Sequence, residues 1–182
     1  MVFTTFVKFL VLLVLLLVPY GCGGSSGTDS GGSNSGGSSA GGGSGGTGGS
    51  GDASGSSYPA AAEDCVRIIN QYRASIGLPP YQRWTDRESC ADNEAKNDAE
   101  INKPHGSFGS CGEWAQNACP GWSGTPERMI GSCLQMMWAE GPGSDFSAHG
   151  HYLNMSSTNY TKVACGFYVT PQGTVWTLQD FK

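Results

Sequence analysis

Three histidines and two glutamates are the side chains here whose chemistry could reach beyond folding. His149 and His151 stand two residues apart in "HGHYLNM", His105 precedes Glu113 in "PHGSFGSCGEW", and Glu140 follows "LQMMWA". Two neutral imidazoles can hold zinc, with waters completing an open shell. Nearby carboxylates can orient those waters or the imidazole N–H groups. The chemistry open to such a centre is metal-activated hydrolysis with a glutamate as base. The same groups can instead form a hydrogen-bonded network without turnover. Residues 58–182 contain no HExxH, CxxC or GxSxG element, so no local motif settles the choice. Spacing alone does not bring these residues together.

The elements that must position them are readable from periodicity. Cys65, Ile68, Ile69, Tyr72 and Ile76 recur at helical spacing, and Gly77, Pro79 and Pro80 end the run, predicting an amphipathic helix. "TDRESCADNEAKNDAEIN" reads as a second helix whose apolar ridge is only Ala91, Ala95 and Ala99, which permits close packing. A third begins with Thr125 as N-cap and Pro126 at the first helical position. It would bury Met129, Ile130, Cys133, Leu134, Met137 and Trp138. Val163, Cys165, Phe167 and Val169 alternate, "TPQG" turns, and "TVWTLQDF" returns, a hairpin pattern. Helices first and a hairpin last predict an α+β domain with helices on a mostly antiparallel sheet.

The surroundings point to export. Lys8 and the apolar run Phe9–Val18 read as a signal peptide over residues 1–21; the run is shorter than the roughly 20 residues of a membrane span. An uncleaved anchor is the alternative. Gly21-Cys22 resembles a bacterial lipobox, so Cys22 is expected to carry lipid. Residues 23–57 are almost entirely Gly and Ser, a tether with a root-mean-square length of about 30–35 Å. Such a tether would lift a domain off a membrane. Cys65, Cys90, Cys111, Cys119, Cys133 and Cys165 follow it, an even set expected to form three disulfides; sequence leaves 15 pairings open. Residues 58–182 form one domain with nine Lys or Arg against thirteen Asp or Glu. That balance argues against nucleic acid. A monomeric domain is expected.

Four segments of residues 58–182 resemble the CAP superfamily, also called SCP, which includes cysteine-rich secretory proteins, venom allergens and plant pathogenesis-related proteins. "INQYRASIGLPPYQRW" is similar to the family's HNxxR helix and the Pro-Pro stretch after it, with Asn70, Arg73 and Trp84 in place and Ile69 where the family has histidine. "HGSFGSCGEW" resembles the segment ending CGEN, "MMWAEGPG" the helix end with tryptophan and glutamate, and "GHYLNM" the GHxxN form of bacterial members. "VACGFY" and "VWTLQDF" resemble the closing hairpin. The resemblance implies a bacterial exported member with an α-β-α sandwich. It further implies a cleft in which His105 and His151 hold a divalent metal, zinc first, while Glu113 and Glu140 take the catalytic carboxylate places. His149 is then an exposed neighbour outside the cleft. The role implied is a surface-tethered module that binds a lipid, sterol, peptide or cell-envelope component. The alternatives are a metal-dependent, peptidase-like hydrolase and a structural or defensive envelope protein.

Overall fold

The structure, a computed structural model, describes residues 55–182. The signal segment, Cys22 and the tether up to residue 54 lie outside the described residues. Four helices and four strands follow in the order α1 (Pro59–Ser75), β1 (Gln82–Arg83), α2 (Thr85–Glu100), β2 (Ala115–Ser123), α3 (Pro126–Ala139), α4 (Phe146–Ser156), β3 (Lys162–Val169) and β4 (Thr174–Phe181). The sheet order is β1-β3-β4-β2. Only the short β1–β3 pair is parallel; β3–β4 and β2–β4 are antiparallel. The fold is an α+β sandwich with a mostly antiparallel sheet.

One face of the sheet carries α1 and α3, whose Ile69, Ile130, Leu134 and Met137 pack with Val163, Phe167 and Phe181 in the main core. The other face carries α2, with a small core of Ala95, Ala118, Trp176 and Leu178. The alanine ridge of α2 brings the helix backbone onto the sheet at Gly166. A Cβ there would lie 2.1 Å from the Ala91 carbonyl carbon, so only glycine fits. Beside it, β1 is too short to pair with β3 beyond Val163. The Phe167 N–H on that open edge donates instead to Asp92 on α2, 2.7 Å away.

Three disulfides close the domain. Cys65–Cys165 joins α1 to β3, Cys90–Cys111 joins α2 to the loop before β2, and Cys119–Cys133 joins β2 to α3. The residues resembling HNxxR act as struts. Asn70 exchanges two hydrogen bonds with the Tyr81 backbone, at 2.9 and 2.8 Å. Arg73, fully buried, donates to the carbonyls of Pro79, Met155 and Ser157, each at 2.8 Å. Two of those carbonyls belong to the end of α4, so α1 fixes the helix that carries His149 and His151.

Some elements are not as the sequence pattern suggested. Helix α4 and strand β2 occupy stretches without a clear period. Thr125 is the N-cap of α3 but its hydroxyl makes no capping bond, and Trp138 is half-buried where a buried side chain was expected.

Candidate functional site

β2 is an edge strand, and the site lies along it. His105 comes from the loop between α2 and β2, His151 from α4. Helix α4 starts because Asp145 caps it, accepting from the Ser147 N–H at 2.9 Å and its hydroxyl at 2.8 Å; these bonds hold the Asp145 carboxyl below its usual range. It is tied to β2 by Asn117, which donates to the His151 carbonyl at 3.2 Å, and by Asn154, which donates to Asn117 at 2.9 Å. The His105 loop is pinned by the Ser107 N–H donating to Asp98 of α2 at 2.8 Å. His105 has φ 60°, a left-handed conformation that few non-glycine residues adopt but that histidine tolerates better than most.

His105 and His151 line one cavity of about 220 Å³, with Gln116, Asn117 and Phe146 among its walls. A second cavity of about 310 Å³ shares His105, Gln116 and Phe146 and adds Phe108, Trp114 and Tyr160. Phe108, Trp114 and Phe146 are 51–64% exposed and together line this second cavity as an apolar surface.

Each histidine is held through Nδ1. His151 Nδ1 meets Glu140 Oε1, and the other Glu140 oxygen accepts the His151 backbone N–H at 3.0 Å. A carboxylate accepts only, so His151 carries its proton on Nδ1. His105 Nδ1 lies 2.8 Å from Gln116 Oε1. Among the described residues neither Nε2 has a hydrogen-bond partner. His105 and His151, lining one cavity with Nε2 unengaged, are the side chains there that could ligate a divalent metal.

His149 is placed otherwise. It is half-buried rather than exposed, and its Nδ1 donates to the carbonyls of Glu140 and Gly141 at 2.7 and 3.0 Å. It caps the end of α3 and thereby holds Glu140. Glu113 is not brought to the histidine cavity. It is buried beneath its own loop, where it accepts the backbone N–H groups of Gly109 and Cys111.

Behind Glu113 lies a group that the sequence reading missed. Ligand atoms of Glu94, Cys111, Glu113 and Asp180 fall within 4.8 Å of one another, all buried, a grouping that could hold a metal. Cys111 is already bonded to Cys90, so its sulfur offers no thiolate. Glu94 and Asp180 lie together as a buried carboxyl pair, close enough to share a hydrogen bond when one of them carries a proton. Burial first, then the Glu113 charge, pushes the Glu94 carboxyl up to about 7. Burial first, then the Glu94 charge, raises Asp180 well above the usual range. Gln116 connects this pair to the site: its Nε2 donates to Glu94 and to Asp180, both at 2.9 Å. The sequence holds no local signal for this group, because its members come from α2, β4 and the loop before β2.

These elements define a disulfide-closed α-β-α domain with a histidine pair at the sheet edge. The CAP, or cysteine-rich secretory protein, family profile matches residues 66–181, more than half of the 182-residue chain; the chain belongs to that family. No curated protein matches it. Among solved structures, BmVAL-1 is similar at 18% identity, with a TM-score of 0.49 over 70% of this chain and 79% of that one. The venom allergen-like protein 4 of Schistosoma mansoni gives 14% and 0.40 over 67% and 89%. Na-ASP-1 gives 14% and 0.46 over 66% of this chain, which spans 38% of that protein. The three disulfides suit an oxidising, extracellular compartment. Among the described residues no helix is long and apolar enough to cross a membrane.

Proposed function

We propose that this is an exported, surface-tethered binding module whose His105–His151 cleft holds a divalent metal through the two Nε2 atoms, with zinc the first candidate. Lipid on Cys22 and the Gly/Ser tether would anchor it to a bacterial envelope. The metal, when bound, would supply a Lewis-acidic position for a ligand's oxygen or for water. The adjoining aromatic groove of Phe108, Trp114 and Phe146 would take an apolar ligand, a lipid, sterol or peptide.

The observation that carries this reading is the shared cavity: two histidines 46 positions apart in sequence line the same space, and the aromatic groove opens from it. Hydrolysis is the weaker reading. Both oxygens of Glu140 are engaged with His151, and both oxygens of Glu113 accept loop N–H groups. Neither carboxylate stands free as a base.

Calorimetric zinc titration of residues 55–182 tests the metal. His105→Ala or His151→Ala should each abolish most binding, His149→Ala should leave most of it, and Glu113→Gln should weaken it less than either cleft histidine. Affinity should fall as pH drops through about 6.5, where protons compete for imidazole. Equal losses from His149→Ala and His151→Ala, or no binding by wild type, would sink the proposed ligand pair.

A further inference from the structure

We propose that Gln116 is a positioning residue for His105: clamped by the buried Glu94–Asp180 pair, its amide has one permitted orientation, and that orientation puts the His105 proton on Nδ1. The inference deepens the metal reading above and rests on it for its purpose, though not for its geometry.

The argument runs on donors and acceptors. A glutamine amide has one acceptor end and one donor end, and rotating it by half a turn exchanges them. The two groups facing Gln116 Nε2 are carboxyl oxygens of Glu94 and Asp180, each at 2.9 Å. Glu94 is 2% exposed and Asp180 fully buried, so water does not take their place. Glu94 Oε1 and Asp180 Oδ2 have no hydrogen-bond partner among the described residues, and a proton shared within the pair leaves the two oxygens that face Gln116 as acceptors. Turning the amide over would set Oε1 against two further oxygens and leave buried acceptors unmatched, an outcome native interiors avoid. Oε1 therefore faces outward, 2.8 Å from His105 Nδ1. An amide oxygen can only accept, so Nδ1 donates and the lone pair sits on Nε2.

The consequence is a matched pair of imidazoles. His151 reaches the same tautomer through Glu140 directly. His105 reaches it through a neutral amide, with the negative charge kept one residue further back. Without Gln116, nothing in the fold holds the His105 proton on Nδ1, and imidazole in water favours the opposite form.

Nitrogen-15 NMR of the histidine rings in metal-free protein, at about pH 8 where a histidine of ordinary pKa is neutral, reads this tautomer directly. Wild type should show a protonated Nδ1 and a bare Nε2 for His105. Gln116→Met, which keeps the bulk and removes the amide, should move His105 toward the Nε2–H form while His151 stays unchanged. Glu94→Gln retains an acceptor for Gln116 and should leave His105 in the Nδ1–H form. A wild-type His105 protonated on Nε2 overturns the proposal whether or not any variant folds. So does a folded Gln116→Met protein whose His105 signals match wild type. A merely structural glutamine would change stability and leave the ring signals alone. Zinc calorimetry on the same samples is a separate question: Gln116→Met should bind about 10–100-fold more weakly, the usual effect of losing such a partner. Absence of zinc binding by wild type would overturn the metal reading and not the tautomer.

Discussion

Glu94 gives a quantitative handle on the buried acid pair. Its carboxyl titrates at about 7 against an ordinary value of 4.5, so between those values the folded protein holds a proton that the unfolded chain releases. Stability must then fall as pH rises through that window. The difference of about 2.5 units corresponds to about 3 kcal/mol at 1.36 kcal/mol per unit, and because Glu94 is 2% exposed solvent screening removes little of it. The two titrations place most of this, about 2–3 kcal/mol, between pH 5 and pH 8. Glu94→Gln removes the titration. Its amide oxygen can still accept from Gln116, and its amide N–H can stand in for the proton shared with Asp180. Urea unfolding with the disulfides intact, at pH 5 and pH 8, should show wild type losing roughly 2–3 kcal/mol more than Glu94→Gln across that interval. The variant should be the more stable protein at pH 8. A variant that keeps the wild-type pH slope, or a wild type whose stability rises toward pH 8, refutes the reasoning.

Other expectations follow from the packing and the anchor. Gly166→Ala sets a Cβ against the Ala91 backbone at 2.1 Å; a helix backbone cannot yield locally, so urea unfolding should register a loss of about 3 kcal/mol or more. Among the disulfides, Cys65–Cys165 spans 100 residues and Cys119–Cys133 spans 14. Chain entropy ranks their removal at about 4.7 and about 3 kcal/mol, and paired Cys→Ala variants should unfold in that order. Cys22→Ser should release the protein from membranes or leave an unprocessed precursor; identical fractionation of wild type and variant, with no acyl mass on the wild type, would exclude the lipid anchor.

What the sequence disclosed, and what it hid, follows from where each signal lives. Helices α1 and α3 bury apolar stripes at helical spacing, and the β3–β4 hairpin alternates around "TPQG", so local patterns were enough. Helix α4 has Gly150 in its middle and buries only Asn154 and Met155. It is held by Arg73, Tyr81 and Asn117, partners 34–84 residues away, and no local rule reports those. Strand β2 buries Gln116 and Asn117 and is broken by an irregularity between Cys119 and Trp122, so its sequence reads as a polar loop. The candidate site was legible only in its histidines and in Glu140; the work of Gln116 and His149 is invisible until the chain is folded.

Helix α2 shows why the largest miss occurred. Its sequence looks like a solvated helix with a thin alanine ridge, yet it buries Glu88, Asp92, Glu94 and Asp98. Each carboxyl brackets a different part of the domain. Glu88 takes both ends of the Arg83 fork on β1, at 2.6 and 3.0 Å. Asp92 accepts the free-edge N–H of β3 and the Ser57 N–H ahead of α1, the latter at 2.6 Å. Glu94 meets Gln116 and Asp180, and Asp98 holds the His105 loop. Glu88, Asp92 and Asp98 each gain a cationic or backbone donor that works against desolvation. Glu94 faces other acids: burial first, then the Glu113 charge, raises its carboxyl, and through its bond to Gln116 the helix face that holds the sheet also orients the histidine.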